Sequence, residues 1–314
     1  MKKNSVPLLL FVLIISIISC RNKSVIDRYA MVTMYNIYNS DMGNLKSFSV
    51  GNGEFEFTVD ITGMQTFPEF YSGVISPGTI SERERNTLSH FPLAKVGLQI
   101  LKKDVNEISI KDILNPFQKL DLWTGEIDSR FNIEDVPVHL KTVCHPDYDM
   151  ISVKIISDLI GMKRLKVKII FPSEDTLPGR SDFTSPDNSI TNILSDTNNI
   201  TLISRSRNKD KYYVLLWRNS ARLKPITKQL YYLEPARPDS VYSFSCQFLN
   251  DTVNERMQNF GETEAASKKK WETFWKSIDE SEFSQYAGSN DNEIQRKAIL
   301  SLYLSGIKHR RSFR

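Results

Sequence analysis

Four acidic residues carry the side-chain chemistry that glycoside hydrolysis requires, which is a pair of carboxylates on opposite sides of a scissile bond. They are Glu54, Glu56, Asp60 and Glu69. The first three alternate with apolar residues, so they share the polar face of one predicted strand. That arrangement favours a solvated or loop-covered strand edge over a catalytic pair. We therefore assign no catalytic residue from the sequence.

Other reactive groups lack the spacing that their chemistry would need. The histidines show no H-E-x-x-H pattern, and no serine lies in a G-x-S-x-G turn; they are His90, His139, His145 and His309. The stretch 51–53, Gly-Asn-Gly, lacks the third glycine of a dinucleotide loop and is predicted to be a tight turn before a strand. The sequence predicts no metal site and no cofactor.

Two cysteines, Cys144 and Cys246, lie in strand-like segments of the body. They could form a disulfide in an oxidising compartment, or pack separately as small apolar side chains. Trp123 follows a predicted strand and could stack on a sugar ring, although a single aromatic residue at a strand end more often packs. It is our one candidate for carbohydrate contact.

The first twenty residues predict an export signal that ends in a lipidated cysteine. Two lysines precede a short apolar run at residues 8–18, which is too short to span a bilayer as a stable helix. The small residue Ser19 directly before Cys20 is similar to a bacterial lipobox. We expect Cys20 to carry the acyl chains of an outer-membrane lipoprotein, with the periplasmic face favoured over the cell surface.

Behind this signal the composition is that of a globular body without a nucleic-acid partner. The net charge is only +4, and the sequence contains no basic stripe. Alternation of apolar and polar residues predicts half-buried antiparallel strands, and a large β-sandwich, from segments around residues 55–61, 96–100, 136–140, 165–169 and 242–248. The apolar run 212–217 predicts a strand covered on both faces, and the polar stretch 173–199 predicts an excursion between strands.

The pattern then changes to helices. Trp271, Phe274, Trp275 and Ile278 follow i, i+3, i+4, i+7 spacing, which predicts a helix with one apolar face. Asn290 and Glu293 predict a capping box that opens a second helix, and this helix carries Tyr303. These aromatic side chains need a partner surface, which could be the sandwich or a further helical domain. We expect the face of Trp271, Phe274, Trp275 and Tyr303 to be exposed in this chain and to meet that domain.

Several segments together resemble the six-hairpin glycosidases, close to family 65 of the glycoside hydrolases. The similar residues run in family order at 49–55, 60–69, 120–125, 130–131, 142–146, 271–275 and 295–304. The resemblance implies an N-terminal β-supersandwich, a helical linker and an (α/α)6 barrel whose interior holds the acid and base carboxylates.

On this basis we expect four regions: a signal peptide at 1–20, a β-supersandwich at 21–260, a helical linker at 261–289, and the start of a truncated catalytic domain at 290–314. The predicted function is the non-catalytic part of a glycoside hydrolase or phosphorylase, inactive alone, so the sequence leaves enzymatic activity open. The alternative is a stand-alone envelope lipoprotein whose sandwich binds glycan or protein.

Overall fold

The computed structural model describes residues 27–67, 93–173, 189–197, 199–207, 210–251, 257–279, 283 and 292–308. Cys20, Glu69, His90, Asn290 and His309 lie outside these residues. The four α-helices of the described part are α1 Arg28–Met34, α2 Asp158–Gly161, α3 Phe260–Ser277 and α4 Asn292–Lys308. Its strands are β1 Ile37–Asn39, β2 Phe48–Gly51, β3 Glu56–Val59, β4 Lys95–Ile100, β5 Ile113–Asp121, β6 Glu126–Ile133, β7 Val136–Cys144, β8 Met150–Ile156, β9 Leu165–Ile170, β10 Ile190–Asp196, β11 Ile200–Arg207, β12 Asp210–Trp217, β13 Arg222–Pro225, β14 Leu230–Glu234 and β15 Val241–Leu249.

The strands form antiparallel sheets, as the alternating pattern predicts. The largest sheet has nine strands in the order β1-β5-β6-β7-β8-β15-β12-β11-β10. A four-stranded sheet, β13-β14-β9-β4, and the hairpin β2-β3 complete the described sheets. Apolar side chains of alternate residues point inward; on β9, for example, Leu165, Val167 and Ile169 are all buried. A mainly antiparallel β-sandwich followed by helices is thus confirmed.

Two local predictions need correction. On β12 only alternate residues are buried, while Tyr213, Leu215 and Trp217 are half-buried, because α3 lies mainly over β6, β7, β8 and β15. The stretch 173–199 contains the strand β10, an edge strand with exposed side chains, rather than only an excursion between strands. Residues 174–188 lie outside the described part.

Helix α3 crosses the outer face of the large sheet and then passes the turn between β5 and β6. It begins with a capping box, in which the Asn259 side chain accepts from the backbone of Glu262 and the Glu262 side chain accepts from the backbone of Asn259. Helix α4 packs against β2. Both helices therefore lie on the sandwich rather than apart from it.

Cys144 and Cys246 are free and buried. The register explains why they do not form a disulfide, since each is paired with the same residue, Ile151, on the strand between them. Two strand spacings separate their Cα atoms by roughly 9–10 Å, beyond the reach of a disulfide. Of the two alternatives, the separate buried thiols are the one observed.

Candidate functional site

Asp60 is buried, which corrects the expectation of a solvated or loop-covered polar face for this residue; Glu54 and Glu56 are exposed. One carboxylate oxygen of Asp60 accepts from the backbone N–H and hydroxyl of Thr62 at 2.8 and 2.6 Å. The other accepts from the backbone N–H groups of Thr66 and Phe67 at 2.7 and 2.6 Å. Burial raises the pKa of Asp60 to about 6, although these bonds oppose the shift. Its role is to hold the loop that follows β3.

This loop docks on the inner face of the large sheet. Gln118 donates to the carbonyl oxygen of Asp60 at 2.7 Å, and Thr142 donates to that of Gly63 at 2.7 Å. A Cβ atom at Gly63, whose φ is +81°, would lie 2.7 Å from the hydroxyl of Ser129. Gly63 and Thr142, which belong to two of the segments that carry the family resemblance, are therefore joined by a hydrogen bond.

Trp271 lies at the centre of the contact between the helices and the sandwich. Its ring stacks on Tyr303 of α4, with centroids 4.5 Å apart and planes at 20°. A Cβ atom at Gly125, in the β5–β6 turn, would lie 2.0 Å from the indole nitrogen, and one at Gly306 of α4 would lie 2.8 Å from the indole carbon Cη2. The indole fits only because both neighbours are glycines.

The expectation of an exposed aromatic face is therefore wrong. Trp271, Phe274, Trp275 and Tyr303 are each at most 4% exposed. The indole N–H of Trp275 donates to the carbonyl of Leu122 at 2.7 Å. These side chains pack on one another and on the sandwich, which covers the aromatic face within this chain. We call this set of contacts, centred on Trp271, the sheet–helix junction.

The turn at residues 51–53, at the end of β2, also contributes contacts to the sheet–helix junction. Lys270 donates to the carbonyl oxygens of Gly51 and Gly306 at 3.2 and 3.1 Å. Gly53 donates its N–H to the carbonyl of Ile307 at 3.1 Å. Burial lowers the pKa of Lys270 to about 8. The lysine and the turn thereby bind two carbonyl groups near the end of α4, those of Gly306 and Ile307.

Trp123 does not offer a sugar-stacking face, because it is only 7% exposed. The ring of Tyr29, from α1, covers it edge-on with centroids 5.3 Å apart. Packing, the alternative for this residue, is what the structure shows, while Tyr29 itself is exposed. The aromatic surface at this place therefore belongs to a residue that the sequence pattern does not single out.

A second cluster of ionisable groups, not anticipated from the sequence, lies beneath α3. The ammonium of Lys141 is 2.8 Å from a carboxylate oxygen of Glu126 and 3.4 Å from one of Glu264. Burial raises the pKa of Glu126 to about 7, and the neighbouring Glu264 adds to the shift while Lys141 opposes it. The three residues come from β6, β7 and α3, so no sequence spacing could reveal them.

Two further residues of reactive type, Cys144 and His145, are buried. Burial raises the pKa of Cys144 to about 12, so the residue is a thiol rather than a thiolate near neutral pH. His145 stacks on Tyr148 and bonds to Gln258, and burial lowers its pKa. Within the described ranges, no group of three or more histidine, cysteine or acidic side chains could hold a metal ion. No helix in those ranges is long and apolar enough to cross a membrane.

Comparison with known proteins gives a limited result. No family model matches the chain, and no curated protein matches it. One solved structure that is similar carries the name of a kojibiose phosphorylase from human microbiome, with 11% identity and a TM-score of 0.45 over 86% of this chain. The chain spans 41% of that protein's length. A likeness at this level carries no argument about activity.

Proposed function

We propose that this chain is a non-catalytic part of a carbohydrate-active enzyme of the glycoside hydrolase or phosphorylase type. The observation that carries the proposal is the sheet–helix junction. It brings together segments 49–55, 120–125, 271–275 and 295–304, which are distant in sequence and are among those that resemble the six-hairpin glycosidases. Their residues hold the helices on the sandwich, which is a scaffolding role.

Two of the described carboxylates, those of Asp60 and Glu126, support the same proposal. The carboxylate of Asp60 accepts hydrogen bonds from four donor groups. The carboxylate of Glu126 lies under α3 and forms an ion pair with Lys141. Glycoside cleavage needs two carboxyl groups roughly 5–10 Å apart on either side of a bound sugar. The resemblance places such a pair inside a helical barrel and not in the sandwich.

The test is a turnover assay on the whole chain combined with a binding assay. The substrates are maltose and the p-nitrophenyl α-glucoside and α-fucoside, each with and without inorganic phosphate. We expect no turnover but measurable binding of neutral oligosaccharides. Turnover of any of these substrates would contradict the non-catalytic role, and absence of all sugar binding would contradict the carbohydrate role.

A second candidate is an envelope lipoprotein whose sandwich binds glycan or protein without an enzyme partner. The burial of Trp271, Phe274, Trp275 and Tyr303 within this chain favours it, since the apolar face of the helices is already covered. Removal of the helices from Glu262 onward should then expose the sheet and cause aggregation. A shortened chain that stays soluble and folds as well as the whole chain would argue against this candidate.

In either case we propose that Cys20 anchors the protein at the periplasmic face of the outer membrane. The lipobox-like sequence before Cys20 supports this proposal. Mass spectrometry of the membrane fraction should find Cys20 as an acylated N-terminus, and Cys20→Ser should release the protein from that fraction. A Cys20→Ser protein that still sediments with the membrane would refute the lipid anchor.

A further inference from the structure

The outer face of the large sheet carries a row of aromatic and charged residues beyond the part that α3 covers. Across the strands, Tyr38 on β1 is paired with Lys119 on β5, which is paired with Asp128 on β6. In the next row, Phe117 on β5 is paired with Arg130 on β6, which is paired with His139 on β7. Because paired residues point to the same face, both rows lie side by side on the surface.

Three aromatic rings of this region are accessible to solvent. Tyr29, Tyr38 and Phe117 are 58%, 51% and 37% exposed. Tyr29 rests edge-on against the buried Trp123, and the rings of Tyr38 and Phe117 have centroids 6.0 Å apart. The ring of Trp123 thus supports Tyr29, and the ring of Phe117 supports Tyr38. We call Tyr29, Tyr38 and Phe117 the aromatic strip.

Lys119 on β5 is the cross-strand neighbour of Tyr38 in the strip. Partial burial lowers the pKa of its ammonium, but Asp121, Tyr38 and Tyr29 outweigh this effect, so the net pKa is raised. The ammonium lies 2.7 Å from a carboxylate oxygen of Asp121. Tyr38 therefore lies beside a polar group whose position an ion pair fixes.

A second fixed polar group adjoins Phe117. Asp128 accepts from Arg130 at 2.8 and 3.1 Å, and its carboxylate is 2.9 Å from the ring nitrogen Nε2 of His139. The guanidinium of Arg130 is 5.9 Å from the centroid of Phe117. Paired contacts of this kind hold a planar guanidinium in one orientation, which predisposes it for directional hydrogen bonding.

We propose that the aromatic strip, with Lys119, Asp121, Asp128 and Arg130 beside it, binds a neutral oligosaccharide. Each sugar ring has an apolar face that packs on an aromatic ring and a rim of hydroxyl groups that bonds to fixed polar side chains. The strands β1 to β7 span three spacings, or roughly 14 Å, which gives room for more than one sugar ring.

The balance of charges beside the aromatic strip favours a neutral ligand over an anionic one. Two basic residues, Lys119 and Arg130, are each paired with an acidic residue, Asp121 and Asp128. The pairs leave no excess positive charge for an anionic lipid, a nucleic acid or an acidic glycan. A neutral ligand rich in hydroxyl groups fits this balance, and this inference rests on the proposed carbohydrate role.

The experiment measures binding of maltohexaose, cellohexaose and xylohexaose to the full chain by isothermal titration calorimetry. Hexagalacturonate serves as the anionic counterpart. A zwitterionic detergent without a sugar head group keeps the lipidated protein soluble. We expect one or more of the neutral hexasaccharides to bind, and hexagalacturonate to bind at least fivefold more weakly.

The variants Tyr29→Ala and Tyr38→Ala should each weaken binding about fivefold, because each removes one stacking surface. Tyr38→Phe, which keeps the ring, should stay within twofold of the unaltered chain. The matched control is Tyr213→Ala on β12, which removes a ring elsewhere on the same sheet and should have no effect. Circular dichroism of each variant establishes that the fold is retained.

The outcomes separate this inference from the proposed function. If a neutral sugar binds and neither tyrosine variant weakens it, the aromatic strip is not the site, while the carbohydrate role stands. If no neutral sugar binds, both are refuted. Tighter binding of hexagalacturonate would overturn the assignment of a neutral ligand.

Discussion

The substitution Gly125→Ala should destabilise the protein by disturbing the sheet–helix junction. Gly125 has a φ of +66°, a left-handed conformation that costs a residue with a Cβ atom roughly 1–2 kcal/mol. The new methyl group would also lie 2.0 Å from the indole nitrogen of Trp271. Overpacking of a buried site typically costs about 1–3 kcal/mol. The sum predicts a loss of about 2–5 kcal/mol in the free energy of unfolding.

The upper part of this range is expected because Trp271 has no room to move. Tyr303 stacks on the indole, and Gly306 already lies against the indole atoms Cη2 and Cζ3. A shift of the indole would therefore push α4 away from the sandwich. The measurement is urea denaturation followed by far-ultraviolet circular dichroism, with Gly43→Ala as the control. Gly43 is exposed, and its added Cβ would make only ordinary contacts.

A double-mutant cycle separates the two costs. In a Trp271→Leu background the steric cost should vanish, so Gly125→Ala should cost only the backbone term of about 1–2 kcal/mol. The coupling between the two sites is then about 1–3 kcal/mol. An equal cost in both backgrounds, or a cost below about 1 kcal/mol in the unaltered chain, would refute the packing described for Trp271.

Three further predictions concern buried polar groups and thiols. Asp60→Asn should lower the free energy of unfolding by about 2–4 kcal/mol in urea titrations, because an amide nitrogen would replace an acceptor that faces two donors; an unchanged value would contradict the burial of Asp60. The pKa of Glu126 rises from 4.5 unfolded to about 7 folded, so the folded state binds the additional proton and stability falls as pH rises across that interval. Glu126→Gln should flatten this slope in thermal melts at pH 5 and pH 8, and a slope equal to that of the unaltered chain would show that another group is responsible. Because Cys144 and Cys246 are unpaired, a reducing agent should leave the melting temperature unchanged; a fall on reduction would reveal a disulfide.

The strands could be predicted from sequence because alternation is a local signal. β9 follows directly from Leu165, Val167 and Ile169, and α3 follows from the spacing of Trp271, Phe274 and Trp275. The partner of an apolar face is not a local property, however. The sequence shows that α3 has one apolar face, but it does not show that the large sheet, the β5–β6 turn and α4 cover it.

The candidate sites show the same limit. Glu126, Lys141 and Glu264 come from three elements, and only the folded register brings them together. Asp60 has the sequence environment of a solvated strand residue, yet the turn after it folds back and supplies donors from Thr62, Thr66 and Phe67. The residue type of Trp123 suggests sugar contact, whereas the exposed ring at this place is that of Tyr29, which covers Trp123.

The sheet–helix junction also has a consequence for the order in which the protein folds. Tyr303 donates to the carbonyl of Ser49 across 254 residues, Tyr35 to the side chain of Gln295 across 260, and Arg28 to the carbonyl of Trp275 across 247. Contacts between residues so far apart in sequence close a large loop and form slowly. Hairpins such as β5-β6 can form as soon as they are synthesised, but the junction must wait for both α1 and α4. We therefore expect Trp271 to become buried late in folding, after the strands beneath it have paired.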